Sequence, residues 1–257
     1  MKLASRPLAA ALFAVVLALP AAAPARAQSF NADQRGEIEK IIKDYLLSHP
    51  ELMQDVMNEL DKKQAMAEAE KHRTTVTENS AAIFSSPRQV NLGNPQGDVT
   101  VVEFFDYNCS YCKRAMSDMV ELMKNDGKLK FVLKEFPVLG EGSVQAAQVA
   151  AAVRMQDKTG KKYLEFHQKL LGGRGQADKT RALAVAKEIG LDVARIEKDM
   201  AGDEVKATIE ENFKLAEALG LNGTPSYVIG DNVVVGAVGL ESLKEKVNTS
   251  RCGKPNC

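Results

Sequence analysis

Two cysteines separated by two residues, in Cys109-Ser110-Tyr111-Cys112, are the part of this chain best suited to chemistry, because neighbouring thiols can exchange with a disulfide. Their setting sharpens that expectation. Upstream, Val99 to Phe105 is rich in β-branched and aromatic residues, as a buried strand is. Downstream, Cys112, Ala115, Met116, Met119, Val120 and Met123 recur at the spacing of one helix face. Cys109 therefore falls at a helix start, where unpaired backbone N–H groups and the positive end of the helix dipole favour thiolate over thiol. Thiols in such positions titrate at roughly 3.5–7.5 instead of about 8.5. Cys109 is therefore expected to be the attacking sulfur. Cys112 becomes the resolving thiol, which attacks the mixed disulfide and frees the substrate. Such a dithiol needs no cofactor. The competing chemistry is a zinc knuckle completed by Cys252 and Cys257; their four-residue spacing stands against it, since zinc ribbons usually repeat a tight pair.

Residues 1–27 have the pattern of a secretory signal: Lys2 and Arg6 precede an apolar run over 8–19, and Ala25-Arg26-Ala27 is a small-residue cleavage site. The run is shorter than a bilayer span requires, which argues against an uncleaved anchor. Cleavage would remove three of the 34 basic residues and none of the 34 acidic ones, leaving 31 against 34 and a formal charge of −3. Nothing in that balance points to nucleic acid. All four cysteines follow the signal, an even number suited to a compartment where disulfides persist. The remaining ~230 residues are enough for a full core and more than one structural unit.

From Asp33 to about His72 the pattern is helical, with one break where Ser48-His49-Pro50 supplies a cap and a first-turn proline. The first helix carries Ile38, Ile41, Ile42, Tyr45 and Leu46, the second Leu52, Met53, Val56, Met57 and Leu60. Two short helices cannot bury both stripes alone, so residues 28–75 are expected to pack on the main domain or on the same segment of other subunits. The polar stretch 74–87, ending in Ser85-Ser86-Pro87, reads as a linker, assigned to 76–87.

Residues 88–257 form the main domain. Residues 89–92 read as a short edge strand, 93–98 as a turn, and 129–136 as the strand after the dithiol helix. That strand–helix–strand order implies a right-handed parallel crossover, half of a thioredoxin-like α/β fold. About 143–219 the chain is helical throughout, an inserted helical subdomain with three apolar stripes: Ala146, Ala147, Val149, Ala150 and Val153; Tyr163, Phe166, His167, Leu170 and Leu171; Val205, Ile209, Phe213, Ala216 and Leu219. A hairpin follows over 226–235, then a closing helix marked by Leu240, Leu243 and Val247. Cys252 and Cys257 flank Gly253 and Pro255 and fit a small tail disulfide; a second redox pair and an intermolecular bridge are the alternatives.

Three motifs in this order carry a resemblance: Glu103-Phe104-Phe105 leading to the dithiol, Glu135-Phe136-Pro137-Val138-Leu139-Gly140, and Gly223-Thr224-Pro225-Ser226. With the helical insertion and the export signal, the chain resembles the DsbA-like family of periplasmic thiol–disulfide oxidoreductases over roughly residues 88–249. The resemblance implies a cis Thr224–Pro225 peptide beside the dithiol, with the Thr224 backbone pairing to an extended client. It also implies a buried acid at Glu103 that takes the proton from Cys112. By residue type alone, Thr224–Pro225 is an ordinary trans turn and Glu103 an exposed strand-edge acid.

The N-terminal helices and the segment after them look like the ScsC branch of that family, linked to suppression of copper sensitivity. This implies a homo-oligomer, dimer or trimer, built through residues 28–75. It further implies a periplasmic disulfide isomerase that acts on unfolded or mispaired secreted proteins and is kept reduced by a membrane-bound thiol reductase. Outer-membrane association is the alternative location, with no feature beyond export to support it. Ser110-Tyr111 places no cation beside the sulfur, unlike the Pro-His of typical DsbA proteins, and Thr224 stands where DsbA itself has Val; both imply a weaker oxidant. A dithiol oxidase is the alternative within the class. Outside it, a copper-binding protein would hold Cu(I) on Cys109 and Cys112. Met53 and Met57 read as packing residues, and His49, His72 and His167 form no ligand cluster in sequence.

Overall fold

The computed structural model describes residues 30–157 and 159–257; the expected secretory signal lies outside them. Strand burial locates the centre of the fold. β2 (Val99–Phe105) and β3 (Leu129–Glu135) are buried along nearly their whole length instead of at alternate residues, the mark of strands covered on both faces. They pair in parallel, joined by α4 (Ser110–Asn125), as the strand–helix–strand pattern predicts. β1 (Val90–Gly93) pairs antiparallel to β3 at one edge. The hairpin of β4 (Ser226–Ile229) and β5 (Asn232–Val235) joins β2 at the other, giving the order β1-β3-β2-β4-β5. With the closing α10 (Leu240–Cys252), this is the expected thioredoxin-like arrangement.

Alternation along the strands gives each face of the sheet its own core. Val101, Phe105, Phe131 and Leu133 pack with Met119 of α4 and Leu243 and Val247 of α10. Val102, Phe104, Val132 and Val228 pack on the opposite side with Leu215, Ala216 and Leu219. By the same alternation Glu103 shares the face of Phe105, toward the dithiol helix, and Lys134 the face of Val132.

The insertion comprises α5 (Glu141–Gln156), α6 (Lys161–Gly172), α7 (Lys179–Glu188), α8 (Val193–Asp199) and α9 (Asp203–Ala218). α5 buries Ser143, Ala146, Ala147 and every residue from Val149 to Val153, so it is covered all round and not along one stripe. The α6 stripe is buried as predicted. The α9 stripe is buried at Val205, Ala216 and Leu219 and partly at Ile209, but Phe213 is 38% exposed, while Thr208 and Asn212 are buried. Backbone carbonyls satisfy these polar side chains, Asn212 donating to Glu135 O at 3.1 Å and Thr208 to Glu204 O at 2.8 Å, so they can occupy the inward face.

The predicted linker at 76–87 is also corrected. α2 (Pro50–Glu78) runs into it, α3 (Ser80–Phe84) follows, and Val76 and Ile83 are buried beneath the sheet. Lys134 and Lys130 of β3 donate to the carbonyl oxygens of Ala82 (2.8 Å) and Phe84 (2.7 Å), partners that a helix end otherwise lacks. Arg88 adds ion pairs to Glu204 and Glu211. The segment is a docked element. Burial lowers the Lys134 ammonium to about 8.

The chain divides into two units, one ending at Glu59 and the other running from Leu60 to Cys257. In the first, α1 (Ala32–Ser48) opens on a capping box between Asn31 and Gln34 and ends at His49, where the break was predicted. α1 buries no residue. Ile41, Ile42, Tyr45, Leu47 and Val56 are all more than half exposed, and Met53 and Met57, read as packing residues, are exposed too. Among the described residues no helix is long and apolar enough to cross a membrane.

Candidate active site

Cys109 caps α4. Its backbone is extended (φ −81°, ψ 116°) and its sulfur accepts the N–H of Cys112 at 3.4 Å. Cys109 and Cys112 are free, buried thiols, and Tyr111 between them is exposed. The hydrogen bond from the Cys112 side chain, helped by the Thr224 side chain and the backbone N–H groups of Cys112 and Tyr111, outweighs burial and brings the Cys109 thiol down to about 5. Cys112 moves the other way: its bond to Cys109, its burial and the charge of Glu103 hold its proton far above the ordinary thiol range. Near neutral pH one sulfur is an anion and its neighbour a thiol, the division that attack and resolution require.

The Thr224–Pro225 peptide is cis. Ser226, the next residue, pairs with Phe104 of β2, which carries the cis peptide to the same end of the sheet as the dithiol. There the Thr224 carbonyl oxygen lies 3.2 Å from Cys109 Sγ. The turn is held by Ser226 Oγ donating to Gly223 O (2.7 Å) and by Gly236 N–H donating to Pro225 O (2.8 Å). Glu103 is 2% exposed in the central strand, not an exposed strand-edge acid. Burial, with the charges of Cys109 and Asp118, pushes its carboxyl up to about 8. An acid so shifted can take and return a proton at neutral pH. The five residues singled out in the sequence thus meet at one end of the sheet and on the face below it.

A family model described as the DSBA-like thioredoxin domain matches residues 100–248, more than half of the chain. The chain belongs to the DsbA-like family. Residues 34–67 of this DsbA-like protein match a second model, described as the copper resistance protein ScsC N-terminal domain. Among solved structures, a thioredoxin-like oxidoreductase from Silicibacter pomeroyi DSS-3 is 46% identical, with 67% of this chain and 98% of that one covered and a TM-score of 0.64. ScsC from Proteus mirabilis, in a transitional conformation, is 27% identical, with 88% and 98% covered and a TM-score of 0.63. Disulfide bond formation protein D of Bacillus subtilis is 26% identical over 176 residues, 63% of this chain and 77% of that protein. Na(+)/H(+) antiporter NhaA 1 of Salinispora arenicola is 26% identical over 161 residues, but the DsbA-like chain spans only 24% of its length.

Sequence reasoning missed the polar cluster that adjoins the dithiol. The buried Asp106 carboxylate accepts the N–H groups of Asn108 (2.7 Å), Val138 (2.9 Å) and Leu139 (3.0 Å) and the Ser143 hydroxyl (2.7 Å). Asn108 in turn donates to Ser143 Oγ (2.9 Å) and Ala177 O (2.8 Å) and accepts Ala177 N–H (2.7 Å). His167 packs against the rings of Phe105, Tyr107 and Tyr163, and burial pulls it down to about 3. Cys252 and Cys257 are joined in a disulfide, so the four-cysteine zinc arrangement does not form. Among the described residues no group of three or more His, Cys, Asp or Glu side chains is placed to hold a metal.

Proposed function

We propose that this protein is a periplasmic disulfide isomerase for secreted proteins, with Cys109 as the attacking sulfur. The Cys109 thiolate attacks a mispaired client disulfide, forms a mixed disulfide and expels the other client sulfur as a thiolate. That thiolate can then attack a different client disulfide, and a client thiolate finally displaces Cys109, so the client leaves re-paired with no net oxidation. Where exchange stalls, Cys112 passes its proton to the Glu103 carboxylate and attacks Cys109 Sγ. This breaks the mixed disulfide and leaves a Cys109–Cys112 disulfide and a reduced client. A membrane-bound thiol reductase would then restore the dithiol. Thr224, beside the sulfur, would offer its backbone to the extended client, with Pro225 setting the turn. No cofactor takes part.

The observation that carries this reading is the opposite displacement of the two thiols. A Cys109 thiolate stabilised beside a protonated Cys112 suits a dithiol that attacks with one sulfur and resolves with the other. The exposed apolar stripes of the first unit support a homo-oligomer, dimer or trimer, that presents several dithiols to one client. The secretory pattern of residues 1–27 and the tail disulfide support an oxidising compartment. Incubation of the reduced protein with a scrambled disulfide substrate, without added oxidant, should restore the substrate's activity. Rapid oxidation of a reduced peptide with no recovery of scrambled substrate would make the protein an oxidase.

A second reading, copper handling, is favoured by the match of residues 34–67 to a domain named for copper resistance. Cys109 and Cys112 would then hold Cu(I) as soft ligands. Undiminished isomerase activity under a Cu(I) chelator, with weak Cu(I) affinity, would dispose of it.

A further inference from the structure

We infer that Asp106 is a positioning residue of the dithiol: its carboxylate, working with Asn108 and Ser143, fixes the loop that holds the Cys109 sulfur against the N–H of Cys112. The inference rests on Cys109 being the attacking sulfur and is indifferent to whether the enzyme isomerises or oxidises.

Asp106 is 1% exposed, immediately after β2 and three residues before Cys109. Two nested turns start from it. Oδ1 accepts the N–H of Asn108, and the backbone oxygen accepts the N–H of Cys109 at 3.1 Å. Together they fold 106–109 so that Cys109 arrives as the cap of α4 with its sulfur toward the first turn.

The loop is also tied to elements distant in sequence. Ser143, in the first turn of α5, donates to Oδ1; Val138 and Leu139 share Oδ2. Gly140 has φ +104°, a conformation that favours glycine, where the chain turns from that pair of N–H groups into α5. Asn108 extends the bracing to both backbone groups of Ala177, ahead of α7. The loop bearing the nucleophile is thus anchored to the helical insertion by side-chain bonds, not by apolar contact alone.

Charge and geometry make opposite demands on this carboxylate. As a negative charge three residues from a thiolate, Asp106 would disfavour the anion. As a brace, it would favour the anion by keeping the sulfur on its donors. The sign of a substitution's effect separates the two.

The test uses full-length reduced protein. Cys109 alkylation by iodoacetamide is followed across pH, with the Cys109 adduct quantified by mass spectrometry. Asp106→Asn keeps the size and removes the charge; it should raise the midpoint by about one unit. Ser143→Ala and Asn108→Ala, which each trim the network, should raise it by less and carry the test should Asp106→Asn fail to fold. Ser117→Ala, exposed on α4, is the control and should leave the midpoint in place. Folded variants with an unchanged or lowered midpoint would overturn the inference. A wild-type midpoint near 8.5, the ordinary thiol value, would instead defeat the nucleophile reading, and the inference with it.

Discussion

Phe104, Phe131 and Tyr163, in the unit from Leu60 to Cys257, are wholly buried, whereas Ile41, Ile42 and Val56, in the unit ending at Glu59, are more than half exposed. The residues are comparably apolar; only their surroundings differ. In the second unit, burial also extends to groups that resist it, Glu103, Asp106 and Lys134: the raised Glu103 carboxyl faces the dithiol, Asp106 braces the loop before it, and Lys134 holds α3. Among the described residues of the first unit none is buried. Each of its large side chains forgoes roughly 1.5–3 kcal/mol of burial while it faces water. The second unit carries the dithiol and its buried surroundings, and the first presents an apolar stripe that, in the proposed oligomer, further chains would cover.

The largest effect should come from charging the exposed stripe. Ile42→Asp combined with Val56→Asp should turn an oligomer into monomers in sedimentation and abolish recovery of scrambled substrate, while alkylation of Cys109 stays as in wild type. A monomeric wild-type protein would break the comparison outright.

Within the second unit, Glu103→Gln should slow resolution of the mixed disulfide by about 10²–10⁴-fold and its formation far less, measured by quenched-flow trapping of the mixed species. Equal slowing of both steps would remove the proton-acceptor role.

Proton linkage gives a subtler distinction, seen in reduced against oxidised protein. Cys109 titrates at about 5 in the folded reduced form against an ordinary value of about 8.5, so its stabilisation is full above that value and fades as pH falls toward 5. Glu103 is raised to about 8, so its contribution is present below its ordinary 4.5 and is lost as pH rises through 8. Glu103 is present in both redox forms and the Cys109 thiol in one. Denaturant midpoints should therefore show the reduced form gaining on the oxidised form between pH 5 and 9. The smallest effect belongs to the tail: Cys252→Ser with Cys257→Ser should cost about 2 kcal/mol or less in thermal unfolding and leave Cys109 alkylation and isomerase activity unchanged.

Helix breaks, strand order and the dithiol were legible in the sequence because each has a local signature: the proline after His49, the β-branched run before Cys109, the spacing of the two cysteines. The docking of 76–87 was not, because its apolar residues, Val76 and the short run from Ala81 to Phe84, are separated by the polar Thr77-Glu78-Asn79-Ser80 and make no continuous stripe. Lys134 and Lys130, which hold that segment, lie 52 and 46 residues from their carbonyl partners. The exposure of Phe213 on α9 was hidden for a related reason, since hydrophobic spacing cannot reveal that Asn212 finds the Glu135 carbonyl inside and that Thr208 bonds back to the Glu204 carbonyl of its own helix. Asp106 was overlooked because its distant partners, Val138, Leu139 and Ser143, stand 32 to 37 residues away and two of them contribute only backbone N–H. Glu103 was read from family resemblance; its own type and position in the chain suggested an exposed acid.

The proposed chemistry depends above all on a sulfur held as an anion at the start of α4. Alkylation of Cys109 in the reduced wild-type protein, followed from pH 4 to pH 10, should show a midpoint near the value of about 5 that its hydrogen bonds impose. A midpoint at or above about 8.5, that of a thiol with no such partners, would contradict it.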